Sequence, residues 1–292
     1  MTDGKVGDLV PSRSSPTVRR RRLAAEMRRL RKESGKTREQ VAQFVGCSPV
    51  TVTRIESGQS APRVADAARM LEMYGVTGTR REMLIALARE ARRRGWWQQY
   101  SVTPWFEVYV GLEEEASEIR SYESEAIPGL LQTEGYTRAV MLADVDVPGE
   151  EEIQRRIAVR MKRQERLTGD DAPKMWVVLN EAALHRQVGG KDTMREQLRH
   201  LVDLSRPSRV VVQVLTYSAG AHPGMDGSFV ILRFPEPADP DIGYVQYRRG
   251  SVYLEEPSDV GAYAEVFDHL RARALGPDES RALIARVADQ IT

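Results

Sequence analysis

Between residues 48 and 59 the sequence reads SPVTVTRIESGQ, and its residue types suit contacts with duplex DNA. Arg54 carries a planar guanidinium whose paired N–H donors match O6 and N7 of guanine in the major groove. Val50 and Thr53 offer methyl groups to thymine, and Thr53 adds a hydroxyl for base edges. Arg38, Thr51 and Gln59 are suited to phosphate oxygens, as is Ser48 once its local capping duty is met. Phosphate contacts fix register and carry no sequence information. If Arg54 pairs with an acid or a phosphate instead, it too reads little.

These side chains need a short, protruding helix. Thr37 can cap a first helix, with Gln40 completing a capping box. Val41, Ala42 and Val45 then form its inward face, and Gly46 ends it, because the turn there needs positive φ. Ser48 caps a second helix with Pro49 at its first position, where a missing N–H costs nothing. Val52 and Ile55 lie three apart and make the buried seam. Val50, Thr51, Thr53 and Arg54 are left to point outward or flank it.

With capping, turn glycine, seam and the ending Arg-Ile-Glu-x-Gly in this order, the segment Thr37 to Gly58 resembles a helix-turn-helix of the phage-repressor or xenobiotic-response-element class. The likeness covers roughly residues 20 to 80. It implies a compact five-helix domain whose third helix reads double-stranded DNA. One such helix reads only a few base pairs, so a homodimer on a near-palindrome is expected.

The 292 residues suggest two domains, and the net charge of +1 hides a split between them. Residues 1–95 hold 21 Lys+Arg against 10 Asp+Glu. The chain as a whole has 43 and 42, which leaves 22 against 32 for the remainder. The basic part carries the DNA-reading motif and has the charge for phosphate affinity. The acidic part should be repelled by DNA and do something else. No apolar run approaches a membrane span and no signal peptide is visible, so a cytoplasmic protein is expected. One cysteine and four scattered histidines give no metal-ligand spacing, and no cofactor is expected. The lone Cys47 reads as a small core filler in preference to a redox switch.

The domain limits are drawn as a disordered tail over 1–18, the helix-turn-helix domain over 19–95 and a regulatory or partner-binding domain over 96–292. The first helix starts at Ser15 or Thr17, with Leu23, Met27 and Leu30 inward. The run Arg19 to Arg22 is either a phosphate or minor-groove contact or a solvated basic stretch. Ala65, Ala68, Leu71 and Met73 suggest a fourth helix ending at Gly75. A fifth, capped by Thr79, turns Met83, Leu84, Leu87 and Ala91 inward. Trp96-Trp97 reads as a hydrophobic anchor in preference to a base-stacking site.

In the second half, Phe106, Tyr109, Leu112, Ala116 and Ile119 repeat at helical spacing, which predicts one acidic amphipathic helix running up to Ile127-Pro128-Gly129. Helices follow from Leu130 to Leu142 and from Pro148. MWVVLNE, VVVQVLTY, SFVILRF, YVQY and VYLEE read as strands. Short helices flank them, one through Leu184 and one capped by Asp192 with Met194, Leu198, Leu201 and Leu204 inward. Two helices, from Ser258 and Pro277, finish the chain. The fold class is thus an all-α five-helix helix-turn-helix domain followed by an α+β domain without a βαβ repeat.

From about Tyr109 onward, the phrases LEEEASEIRSYE, IPGLLQTEGY, RMKRQ, NEAALHRQVGG, REQLRHL, GSFVILRF and YVQYRRGSVYLEE resemble a domain attached to such helix-turn-helices in actinobacterial antitoxin-like transcriptional regulators. The resemblance implies a regulator whose second domain senses a ligand or a small partner protein encoded nearby, or dimerises. It leaves open an antitoxin whose DNA binding is autoregulatory. Asn180 and Gln246 depart from the family pattern at positions where acids are common, which reduces the charge of any site they share. An enzyme is the rival class. Glu181 and His185 lie four apart on a helix, and His222 and Asp226 sit in the Gly-rich loop AGAHPGMDGSF. No nucleophile elbow, phosphate-cradling loop or zinc spacing accompanies them, so no catalytic residue is assigned and the protein is not expected to be an enzyme. The loop reads as a surface connection in preference to a ligand lid.

Overall fold

The computed structural model describes residues 16–100, 102–205, 209–236 and 239–291. The chain divides into two units, Met1–Trp96 and Trp97–Thr292. Most of the expected disordered tail lies outside the described residues, but residues 16–18 already belong to the first helix.

The first unit has five helices: α1 (Pro16–Glu33), α2 (Arg38–Val45), α3 (Pro49–Glu56), α4 (Val64–Met73) and α5 (Gly78–Glu90). One apolar core takes Leu23, Met27 and Leu30 from α1, Val41, Ala42 and Val45 from α2, and Val52 and Ile55 from α3. In α4 the buried face is Ala67, Met70 and Leu71, while Ala65 is exposed. The inward stripe expected through Ala65 and Ala68 is therefore rotated. The helix starts at Val64, and the bulkier Met70 and Tyr74 take the core positions. In α5, Leu84, Ala88 and Ala91 are buried and Met83 is 60% exposed. Thr77 stands at the N-cap and Thr79 lies inside the helix, so neither supplies the expected side-chain cap. Arg19 is ion-paired to Glu90, which also accepts from Arg93 at 2.9 Å. The first arginine of the basic run thus ties α1 to α5. Trp96–Tyr100 forms a short 3-10 turn in which Trp97 is buried, so that ring is not a platform for bases.

The second unit is built on a six-stranded sheet of β1 (Glu118–Glu123), β2 (Lys174–Asn180), β3 (Val210–Leu215), β4 (Phe229–Arg233), β5 (Ile242–Tyr247) and β6 (Gly250–Leu254). Their order is β3-β2-β1-β4-β5-β6. β1, β2 and β3 are parallel to one another, with Ser121 opposite Val177 and Val177 opposite Val212. β4, β5 and β6 continue the sheet antiparallel. The helices are α6 (Pro104–Glu115), α7 (Glu134–Leu142), α8 (Glu150–Gln164), α9 (Ala182–His185), α10 (Lys191–Leu204), α11 (Pro257–Arg273) and α12 (Pro277–Gln290).

The α+β class stands, with two corrections. The helix expected to run past Ile119 stops at Glu115, and Glu118–Glu123 is a central strand. Its sequence EIRSYE is polar enough to read as an acidic helix. In the fold, Ile119 and Tyr122 are buried on opposite faces, and strands pair on both sides. Parallel β1, β2 and β3 also require crossover connections, supplied by α7–α8 and α9–α10, so βαβ units are present after all.

On one face of the sheet, α11 packs Phe267 and Leu270 against Tyr122, Phe229 and Ile231. Gly224, in the loop between β3 and β4, lies so close to Tyr122 that an added Cβ would stand 2.6 Å from the ring. That loop is a packed connection, as its Gly content suggests. Between α6 and α8 a buried ion pair joins Glu113 to Arg163 through two bonds of 2.7 Å. The Arg163 guanidinium lies 5.0 Å from the Phe106 ring centroid. Burial alone would lower the Arg163 pKa, but Glu113 and its hydrogen bonds hold it above its ordinary value. Removing one partner of such a pair leaves an uncompensated buried charge. Glu113→Ala is therefore expected to cost about 3–5 kcal/mol in urea unfolding, and Arg163→Ala a similar amount.

Glu123 ends β1, accepts from Ser121 Oγ at 2.9 Å, and is pushed up to about 7 by burial. A carboxyl whose folded pKa is raised favours the folded state when protonated. Its contribution is present below about 4.5, falls as pH rises to about 7, and is flat beyond. Urea unfolding at pH 5 and pH 8 should show Glu123→Gln losing on the order of 2 kcal/mol of this pH dependence relative to wild type.

Candidate nucleic-acid interface

The α2–α3 geometry follows from its caps. Thr37 Oγ1 accepts from Gln40 N while Gln40 Oε1 accepts from Thr37 N at 3.0 Å, which is the expected capping box. Gly46 adopts φ +79° and donates its N–H to Ala42 O, closing α2 in a left-handed turn. Ser48 Oγ accepts from Thr51 N at 3.2 Å, and Pro49 occupies the first turn of α3. Arg69 on α4 donates to the carbonyls of Val45, at 2.9 Å, and Phe44, and stacks its guanidinium over Phe44. It thereby satisfies carbonyls at the end of α2 that the helix itself leaves open.

α3 is fixed from behind by a buried carboxylate. Glu56, at its last position, is 3% exposed. Arg31 of α1 donates to it at 2.5 and 3.1 Å, and Arg38 of α2 donates at 3.0 Å. Arg31 also donates to Lys36 O at 2.9 Å. Its hydrogen bonds to Glu56 hold its pKa above the ordinary value despite partial burial. Three helices thus meet on one side chain.

The opposite side of α3 is open. Val50 is 59% exposed, and Thr53, Arg54 and Ser57 are exposed beside it at the i, i+3, i+4, i+7 spacing of one helical face. Thr53 Oγ1 donates to Pro49 O at 3.1 Å, which leaves its methyl and its lone pairs outward. Among the described residues, no hydrogen bond or ion pair engages the Arg54 guanidinium. Thr51 is half-buried and shares a 2.9 Å bond with Ser48 Oγ, so both hydroxyls are engaged in the cap. Gln59 is exposed in the loop after α3. Arg38 keeps 42% of its side chain accessible while paired to Glu56.

Ser57 extends the outward stripe by a turn and was legible as the residue three beyond Arg54. The roles of Glu56, Arg31 and Arg69 were not, because each acts across more than ten residues of sequence. Cys47 packs against the core, and burial pushes its thiol up, away from the reactive thiolate.

The chemistry-bearing pairs of the second unit are less well assembled. Glu181 Oε2 accepts from Tyr217 N at 2.8 Å, and its other oxygen is 3.5 Å from His185 Nε2. His222 packs edge-on against Tyr122, with burial lowering its pKa, while Asp226 is exposed. Asn180 accepts from Ala182 N at 3.0 Å, and Gln246 accepts from Tyr244 OH at 3.1 Å. Two strands separate Asn180 from Gln246 in the sheet, so the two departures serve local structure. An open pocket of about 240 Å³ lies between α9, α10 and α12, lined by Leu184, His185, Lys191 and Val287 among others. Among the described residues, no helix is long and apolar enough to cross a membrane, and no three His, Cys, Asp or Glu residues cluster to hold a metal.

A helix-turn-helix domain model matches residues 22–84, and the model of a domain of unknown function, DUF5753, matches residues 106–286. The chain belongs to the DUF5753 family. The first match covers α2, α3 and α4 whole with parts of α1 and α5, and the second spans the whole six-stranded sheet. No curated protein and no solved structure matches the chain.

Because Arg31 keeps only 12% of its side chain accessible, Glu56→Ala should leave its charge poorly compensated and cost about 3 kcal/mol. Thermal unfolding followed at the first unit should show that loss, with Glu56→Gln intermediate.

Proposed function

We propose that the protein is a sequence-specific transcriptional regulator of the xenobiotic-response-element class that works in the cytoplasm and is not an enzyme. The observation that carries this reading is the outward stripe Val50, Thr53, Arg54 and Ser57 on a helix anchored from behind by Glu56. Rigid support matters, because base readout requires donors held to within a fraction of an ångström. Arg54 pairs with guanine in the major groove, and Val50 and Thr53 meet thymine methyls and base edges. Arg38, Ser48, Thr51 and Gln59 lie toward phosphate. Two copies bind as a homodimer with half-sites about one helical turn apart. The acidic DUF5753 domain is the control element of an antitoxin-like regulator and answers to a ligand or a small partner protein.

Selection of binding sites from random duplex DNA with the full chain tests the reading. A near-palindromic site should emerge. Arg54→Ala should cost about 1–3 kcal/mol on that site and relax one position in each half. Gln59→Ala should weaken specific and random DNA alike while leaving the salt dependence unchanged, because a neutral amide displaces no counterion. Equal losses for Arg54→Ala on both DNAs would reduce that residue to a phosphate clamp. Failure to enrich any sequence would overturn the regulator reading.

A further inference from the structure

Two guanidinium groups share one carboxylate at the end of α3, and they share it unequally. Arg31 commits all three of its nitrogens inside the domain. Its Nε and Nη2 donate to Glu56 at 2.5 and 3.1 Å, and its Nη1 donates to Lys36 O at 2.9 Å. Only 12% of that side chain is accessible. Arg38 gives Glu56 its Nε alone, at 3.0 Å, and 42% of its side chain is accessible. Its two terminal nitrogens donate to no other group among the described residues.

The charges do not balance. Glu56 brings one negative charge, and the two arginines bring two positive ones. Arg31, bidentate and nearly enclosed, takes most of the compensation. The surplus positive charge therefore stands on Arg38, at the accessible end of the cluster. Glu39 follows it in sequence and is exposed. Its own backbone N–H, then the Thr37 hydroxyl, hold the Glu39 carboxyl below its ordinary pKa, and Arg38 adds less. Among the described residues, Glu56 is the one acid that ion-pairs with Arg38.

A guanidinium is planar and its donors form a rigid fork. A partner held at Nε fixes that plane, and the terminal edge must then point away from it. Glu56 lies inside, so the Nη1–Nη2 edge of Arg38 points out. Two parallel N–H groups of this kind match two oxygens of a phosphate. The edge stands beside the last turn of α3, where Glu56 is followed by Ser57 of the outward stripe.

We propose that Glu56 is a positioning residue for DNA: it holds Arg38 by Nε so that the terminal edge of the guanidinium grips a backbone phosphate of the duplex. The proposal rests on the DNA-binding reading above and deepens it. The carboxylate that anchors α3 also orients a phosphate clamp. An acid beside a polyanion should oppose binding by its charge; here it favours binding, because a side chain already held in place loses less freedom on meeting the phosphate.

Fluorescence anisotropy of the full chain on random duplex DNA, over about 50–200 mM salt, tests this. Arg38→Ala should lower the slope of log affinity against log salt by about 0.9 for each copy bound. Glu56→Gln removes a negative charge and should nonetheless weaken binding at least about threefold, as residues in contact couple. Combined with Arg38→Ala, the same change should cause no further loss. A displaced α3 acts through Arg31 and would cause the same loss in both backgrounds. Arg38→Lys leaves Glu56 with Arg31 and keeps the charge, but it has no second edge. It should bind at least about threefold more weakly than wild type, with an unchanged melting temperature, so the proposal stays testable if Glu56→Gln unfolds. An unchanged salt slope for Arg38→Ala, equal losses for Glu56→Gln in both backgrounds, or wild-type affinity for Arg38→Lys would each overturn the proposal and leave the DNA-binding reading standing. A wild type that binds no duplex would overturn both.

Discussion

The first unit depends on one buried carboxylate. Glu56 closes α3, is nearly inaccessible, and is reached by guanidinium groups from α1 and α2. A carboxylate in such a place is stable only if its charge and lone pairs are met. Meeting them sets the distances among three helices. The apolar seam of Val52 and Ile55 supplies most of the burial, yet apolar contact is nondirectional and tolerates sliding. The bidentate Arg31 contact is directional. It fixes which way the far side of α3 points, and that is the side carrying Val50, Thr53 and Arg54. Arg69 does the corresponding work at the other end of the motif by closing the carbonyls of α2.

The second unit meets a similar demand with a different device. Its mixed sheet is covered by helices, and the cover on the α6–α8 side is fixed by Glu113 and Arg163 between aromatic rings. The parallel half needs covered faces because its crossover helices lie there. The antiparallel half ends in a hairpin with exposed Tyr247 and Val252. At the β3 edge, Ser280 Oγ and Leu275 N meet the backbone groups of Val214.

Much of the motif was legible because it is local. Thr37 with Gln40, Gly46, and Ser48 with Pro49 are signals within four residues of one another, and each reports its own backbone geometry. The outward stripe is likewise a statement about 3.6-residue periodicity. The inward faces of α4 and α5 were read less well. There Ala65, Ala67 and Ala68 are alternatives of equal size, and only packing into the core shared with α1 and α2 decides among them. β1 was missed for a related reason. EIRSYE owes its strand state to β2 and β4 on either side, and the charged ends that suggested a helix are tolerated where Glu118 pairs with Arg120 and Arg233.

The sequence alone determined the two-part charge division, the capped helix-turn-helix and its exposed side chains, and the all-α then α+β order. These depend on composition and short-range periodicity, which a single chain displays without folding. Tertiary structure decided that Glu56 is the anchor, that β1 is a central strand, and that β1 to β3 run parallel. Each of those rests on contacts between residues tens of positions apart. Their energies come from which groups are removed from water together, and that is fixed only when the whole chain has packed.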